Sequence, residues 1–341
     1  MNKFYVVCNT YYPNTAFSNR VFSFLRGFSE LGVDVEVVFL TPDSEMSKVQ
    51  ETYPHITFKY MWENLPFSNR IFNKFADEFY GWKFAWSLKP GDVVFLTNFG
   101  NVFFKVVKVD GMFVISTALK DYFVSCGLPK EKIEIVNMTV DSNRFVGLTK
   151  QPSEKYIAYC GTASNNKDGV DELIKSFAIV NKTHPEVKLY IIGKTPDKND
   201  ASGNLKLIEN LGVKDSIVFT GIVSAADIPQ ILKNAAVLAL DRPDSLQAQC
   251  GFPTKLGEYL LTENPVIVTK VGDIPLFLKD GETALLVEER NPKEFSSKII
   301  WALEHPEEAT EIGKAGAQVA MREFNYLNET KKIIDVINRL S

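Results

Sequence analysis

Residues 251–267 read Gly251-Phe252-Pro253-Thr254-Lys255-Leu256-Gly257-Glu258-Tyr259-Leu260-Leu261-Thr262-Glu263-Asn264-Pro265-Val266-Ile267. A loop with Gly251 and Pro253 runs into a short amphipathic helix. The helix stops at Asn264-Pro265, and Val266-Ile267-Val268 begins a buried strand. A helix start offers unpaired backbone N–H groups and the positive end of a dipole, which favours phosphate. Lys255 stands at that start. Glu258 stands one turn in, where a carboxylate can accept hydrogen bonds from a sugar diol. Phosphate plus diol is what a nucleotide-sugar presents. The alternative is an ordinary loop–helix–strand unit with a surface lysine and glutamate.

Outward from this stretch, strands and helices alternate. Lys3–Cys8 reads as a strand and Asn19–Leu31 as a helix, with Val21, Phe22, Leu25, Phe28 and Leu31 near period 3.6. Val35–Leu40, Asp92–Leu96, Gly111–Ser116 and Lys132–Val136 read as buried strands, with a helix over Thr117–Ser125. A second series has strands at Tyr156–Cys160, Val187–Ile192, Ile217–Phe219, Ala236–Leu240, Val266 and Ala284. Its helices are Asp168–Thr183, Asn204–Leu211 and Ala225–Asn234, and long helices follow from Pro292. Repeated βαβ units give a parallel, doubly wound sheet, here twice. The expected domains are 1–148 and 152–324, with the linker around Gly147 and Pro152.

Composition narrows the class. At 341 residues the chain is long enough for two domains, and no apolar run reaches 18 residues. It starts directly in a strand without a signal peptide pattern, so a cytoplasmic protein is expected. Cys8, Cys126, Cys160 and Cys250 are scattered without CxxC spacing, and His55, His184 and His305 lie far apart, so no metal site is expected. His184 and His305 each precede a proline at a helix end and read as capping or solvent residues. Residues 1–150 carry 16 basic and 15 acidic side chains, residues 151–341 carry 22 and 27, and neither half is a nucleic-acid surface.

The 251–267 stretch resembles the donor-binding segment of GT-B fold glycosyltransferases, family 4 (glycosyl transferases group 1). In that segment one acidic residue precedes a glutamate by eight positions, ahead of a helix and Pro-Val. Glu258 matches the second member of the pair, and Cys250 stands where the first is expected. The wording Phe-Pro-Thr-Lys-Leu-Gly-Glu-Tyr-Leu resembles a bacterial branch. The resemblance implies a GT-B architecture of two Rossmann-like domains, with Leu327–Leu340 crossing back so that 325–341 joins the first domain. It implies a retaining, metal-independent transferase, without a cofactor, that moves a sugar from a nucleoside-diphosphate sugar to a glycan or lipid-linked acceptor in surface polysaccharide synthesis.

The resemblance also implies site residues. Gly161 and Thr162 lie in the turn after the first strand of the second series, where family members have Gly-Arg. Lys167 matches the lysine that follows and, with Lys255 and Glu258, forms the catalytic set. Gly221 and Val223 match the loop whose backbone reads the base. Gly251, Phe252, Pro253 and Thr254 match the donor loop. Arg242 either holds phosphate or pairs with Asp241 or Asp244. Thr15 and Ala16 stand where the family often has two glycines on the acceptor and diphosphate side, with Asn19 and Arg20 opening the helix. Arg20 either reaches an anionic oxygen or is a solvated helix residue.

Two features stand apart. Trp62–Trp86 holds nine aromatics, with Lys74 and Lys83 among them, and reads either as a peripheral membrane face or as core packing. Only Asn98–Asp110 separate two strands between which the family has a further βα stretch, so the first domain is either naturally short or lacks a segment. The rival functions are a GT-B protein that binds nucleotide without transfer, and a sugar-nucleotide epimerase.

Overall fold

The computed structural model describes residues 3–8, 16–39, 53–61, 70–97, 110–151, 154–196 and 202–340. The chain divides into two compact units. The first comprises Met1–Phe113, Glu131–Glu134 and Tyr326–Ser341, and the second Val114–Lys130 and Ile135–Asn325.

In the first unit β1 (Phe4–Cys8), β2 (Val35–Phe39), β3 (Ile56–Tyr60) and β4 (Val93–Leu96) form a parallel sheet in the order β3-β2-β1-β4. All five residues of β1 are buried, as a central parallel strand requires. The sequence reading missed β3. Its alternation Ile56-Thr57-Phe58-Lys59-Tyr60 fits an edge strand, exposed at alternate positions. The first helix is Ala16–Glu30, so Asn19 and Arg20 lie inside it rather than opening it. Ala16, the best helix former, extends the helix beyond the expected start. Helices Arg70–Ser87 and Tyr326–Leu340 complete the unit. Gly27 lets the first and last helices approach, because a Cβ there would lie 2.2 Å from Thr330 Oγ1. Tyr326 O–H donates to Glu30 at 2.8 Å across the same contact.

Met112–Val114 (β5) and Ile133–Ile135 (β6) were expected as strands of the large sheet. They instead form a separate two-stranded pair. The helix between them, Thr117–Ser125, belongs to the second unit, as do residues 135–148, which were expected in the first domain. Hydrogen bonds give the reason. Ser116 Oγ donates to the Cys250 carbonyl at 2.7 Å, Thr117 N–H donates to Asp273 Oδ2 at 2.7 Å, and Val140 N–H donates to the Phe324 carbonyl at 3.0 Å. The expected shortage at 98–110 lies outside the described residues, apart from Asp110 itself.

The second unit holds β7 (Tyr156–Cys160), β8 (Lys188–Ile192), β9 (Ile217–Gly221), β10 (Val237–Leu240), β11 (Val266–Thr269) and β12 (Leu285–Val287), in the order β12-β11-β10-β7-β8-β9, all parallel. Read from β9, that is the 3-2-1-4-5-6 order of a doubly wound nucleotide-binding sheet. Its switch point lies between β7 and β10, whose carboxyl ends are Cys160 and Leu240. Helices Val170–Thr183, Asn204–Leu211, Ile228–Asn234, Pro292–Glu304 and Pro306–Glu323 and the short helices Asn165–Asp168, Leu246–Cys250, Thr254–Leu261 and Ile274–Phe277 complete the unit. The expected helix Asp168–Thr183 is broken in two. Gly169 adopts φ 59°, and a Cβ there would meet the Asp241 carbonyl oxygen at 1.8 Å. Only a glycine lets that backbone lie against the end of β10. His184 and His305 both sit at helix C-termini.

Candidate donor site

At the switch point the turn after β7 and the loop after β10 converge on the start of helix Thr254–Leu261. Gly161 follows β7 with φ 147°, and its N–H donates to the Ile192 carbonyl at 2.8 Å. A Cβ on Gly161 would lie 2.4 Å from Lys255 Nζ, so the glycine leaves the space that the ammonium occupies. Thr162 supplies a carbonyl 2.7 Å from Tyr159 Oη. Ser164 Oγ caps the short helix by accepting from Lys167 N–H at 3.3 Å. Lys167 and Asp168 therefore sit in one helical turn at the sheet's carboxyl edge.

Lys255 is not a free surface cation. Its Nζ lies 2.7 Å from Asp168 Oδ2 and 3.1 Å from Tyr159 Oη, and 4.5 Å from the Tyr159 ring centroid. Asp168 is 2% exposed and Tyr159 fully buried. Tyr159 Oη also lies 2.8 Å from Asp168 Oδ2, so its single proton is shared between that carboxylate and the Thr162 carbonyl. Burial lowers the Lys255 ammonium below the ordinary lysine range, and Asp168 opposes the shift. Burial pushes the Tyr159 phenol far up, and the Asp168 charge adds to the effect.

Arg242 follows β10 and is 4% exposed. Neither Asp241 nor Asp244 forms an ion pair with it among the described residues, and its Nε has no hydrogen-bond partner. Asp168 is the charge that acts on it favourably, against a burial that lowers its pKa. Asp241 Oδ2 is likewise buried without a partner, and burial with the acidic neighbours Glu172 and Asp171 raises that carboxyl to about 7.

Glu258 lies one turn after Lys255, as expected, but its carboxylate is occupied. Arg144 Nη1 donates to Glu258 Oε1, and Arg144 Nη2 donates to the Ala225 carbonyl at 2.7 Å. Burial raises the Glu258 pKa, while Arg144 and Lys255 oppose the rise. Behind it, Gly257 lets the helix meet the 138–140 segment: a Cβ would come 2.2 Å from Met138 Cε.

The remaining expected residues divide. Gly221 ends β9 with φ 73°, and Val223 packs against the core beside it. Gly251, Pro253 and Thr254 lead into the donor helix as expected, with Pro253 at its N-cap. The Phe252 ring is committed to packing, 5.5 Å from Phe277 and 5.2 Å from Phe324. In the first unit Arg20 stacks over Phe24 at 5.5 Å, and burial lowers it to about 10 against the charge of Glu329. It is therefore not a solvated helix residue. Asn19 is exposed. Thr15 and the side chain of Ala16 lie outside the described residues. Sequence reasoning missed Tyr159, Asp168, Arg144 and Asp241. Asp168 had one signal: an acidic residue between the phosphate-type Lys167 and a helix-breaking glycine.

The model of the family "Glycosyl transferases group 1" matches residues 142–319, just over half of the chain. A D-inositol 3-phosphate glycosyltransferase of Segniliparus rotundus is 26% identical over 202 residues, 56% of this chain and 44% of that protein. A GDP-mannose-dependent alpha-(1-6)-phosphatidylinositol monomannoside mannosyltransferase of Mycolicibacterium smegmatis is 22% identical over 271 residues, 76% of this chain and 68% of that one. The chain spans about half the length of several curated relatives it matches. Among solved structures, Anabaena HepE in complex with UDP superposes with a TM-score of 0.76 at 15% identity over 99% of this chain and 100% of that one. The lipopolysaccharide outer core galactosyltransferase WaaB superposes with a TM-score of 0.69 at 16% identity, covering 99% of each chain. With a doubly wound sheet in each unit and a family match that begins at the 142–145 turn and runs through the donor helix, this chain belongs to the glycosyl transferases group 1, on the GT-B fold.

Proposed function

We propose that the protein is a retaining, metal-independent glycosyltransferase that takes a sugar from a nucleoside-diphosphate sugar and passes it to a glycan or lipid-linked acceptor in surface polysaccharide synthesis. The observation that carries this reading is the buried cationic cluster at the switch point. Lys255 is bonded to one buried carboxylate, Asp168, whose charge also acts favourably on the buried Arg242, and Lys167 lies in the same helical turn as that carboxylate. Departure of a nucleoside diphosphate develops negative charge, and fixed cations and helix ends stabilise it without a metal. Glu258, one turn along, accepts from the ribose hydroxyls in competition with Arg144. The base lies against the Gly221–Val223 backbone. Support comes also from the relatives: the mycobacterial enzyme is named as GDP-mannose-dependent, and HepE structures hold UDP and UDP-glucose.

The test is a thermal-shift and calorimetric screen of UDP, GDP and ADP and their common sugar conjugates, since a ligand that binds only the folded state raises stability. At least one conjugate should bind, and the product formed with acceptor should keep the donor's anomeric configuration by NMR. Failure of every nucleotide to bind would overturn the donor reading, and an inverted product would overturn retention.

The acceptor side includes a peripheral membrane contact in this proposal. On helix Arg70–Ser87, Phe79, Trp82, Lys83 and Trp86 line an apolar hollow, and Phe79 and Trp86 are 63% and 81% exposed. Aromatic rings with a neighbouring lysine suit a headgroup interface. Co-sedimentation with anionic vesicles should drop for Trp86→Ala, and equal sedimentation of both forms would refute the contact.

A further inference from the structure

The Lys255–Asp168 pair raises a question that the donor reading leaves open. A lysine intended for phosphate is already bonded to a carboxylate, and that carboxylate is almost wholly shielded from solvent. Two roles are conceivable for Asp168: a competitor that blocks the anion site, or a support that holds the ammonium in place.

The geometry decides between them. Asp168 Oδ2 receives Lys255 Nζ at 2.7 Å and lies 2.8 Å from Tyr159 Oη, so one oxygen serves both. The Tyr159 ring lies under the ammonium and the Gly161 turn beside it, so the side chain is fixed on three sides. Asp168 also acts favourably on the charge of the buried Arg242, whose Nε has no hydrogen-bond partner. One buried carboxylate thus holds the Lys255 ammonium directly and supports a second cation electrostatically.

We propose that Asp168 is a positioning residue for the donor diphosphate: with Tyr159 it holds the Lys255 ammonium in one orientation beside Gly161, and it does not itself touch the anion. This rests on the donor-site reading above. The groups that face Lys255 are Asp168 and Lys167 from the short 165–168 helix, Tyr159 and Cys160 from β7, and Glu258 from its own helix. Of these, Asp168, through its charge and its hydrogen bond, does most to keep the ammonium charged against burial. Without it, Lys255 loses its proton at a lower pH.

The test uses Asp168→Asn in the full chain, with Asp168→Glu to restore the charge. Trace labelling with an amine-reactive ester, read by mass spectrometry against exposed Lys279, should show Lys255 slow in the wild type. It should be about tenfold faster or more in Asp168→Asn and slow again in Asp168→Glu. Calorimetric affinity for the nucleoside diphosphate that binds best should be nearly flat from pH 6.5 to 9 in the wild type. In Asp168→Asn it should fall by about tenfold over that range. Thermal unfolding of each variant separates these effects from loss of the fold, because unfolding removes binding at every pH alike. Binding by the wild type together with a flat pH profile in a folded Asp168→Asn overturns this proposal alone. Tighter binding by Asp168→Asn at every pH also overturns it, in favour of the competitor role. No binding of UDP, GDP or ADP by the wild type overturns the donor reading and this proposal with it.

Discussion

Arg144 and Glu258, 114 positions apart in sequence, form an ion pair that ties the Ser142–Phe145 turn to the donor helix. The second Arg144 nitrogen is held by the Ala225 carbonyl at 2.7 Å, so the guanidinium is fixed from both sides. Both side chains keep partial exposure, 30% and 26%.

Arg144→Met should destabilise the protein by about 1–3 kcal/mol, between the value of an exposed ion pair and the cost of breaking a buried one. The deficit should depend on pH. Burial raises Glu258 in the fold and Arg144 opposes that rise, so removing Arg144 raises it further. A carboxyl with a raised folded pKa contributes stability that is full below its unfolded value and lost as pH rises through the folded one. Chemical denaturation should therefore show a larger deficit at pH 7.5 than at pH 5. A deficit that is constant with pH would show that the pair does not couple to Glu258 ionisation.

Glu258→Gln keeps the shape and an acceptor for Arg144 but weakens a charge-assisted bond. Donor affinity should drop while the fold persists. The discriminating measurement compares a ribose donor with its deoxyribose counterpart. If the preference equals that of the wild type, Glu258 does not read the diol.

Lys167→Ala and Lys255→Ala should each weaken nucleoside-diphosphate binding by about 1.5–3 kcal/mol, the range for hydrogen bonds to charged groups. Lys255→Ala should also reduce thermal stability, because it leaves Asp168 buried without its cation. Lys167 forms no ion pair among the described residues, so Lys167→Ala should melt close to wild type. Unchanged affinity in both variants would remove the phosphate role.

Asp241 supplies a pH signature of its own. Its carboxyl is 2% exposed and raised from 3.8 to about 7. Its contribution to stability is full below 3.8 and is lost as pH rises through about 7. The span corresponds to on the order of 4 kcal/mol at most. Asp241→Asn removes the titration, so this variant should gain on the wild type as pH rises from 5 to 8. Parallel stability curves for the two proteins would show that Asp241 ionises normally.

The sequence alone determined much of this. Apolar runs broken by glycine and proline at βα spacing dictated two parallel sheets, because a buried parallel strand must be apolar on both faces. The donor helix after Pro253, with Lys255 and Glu258 one turn apart, was legible for the same local reason: caps and periodicity act over a few residues. Only the tertiary structure decided what those side chains meet. Asp168 lies 87 positions from Lys255 and Arg144 lies 114 from Glu258. No short-range pattern encodes such pairs. They arise because the 3-2-1-4-5-6 strand order brings the ends of β7 and β10 together, and because pairing lowers the cost of burying a charge. The same long-range forces moved residues 114–130 into the second unit, since the hydrogen bonds of Ser116 and Thr117 end on Cys250 and Asp273.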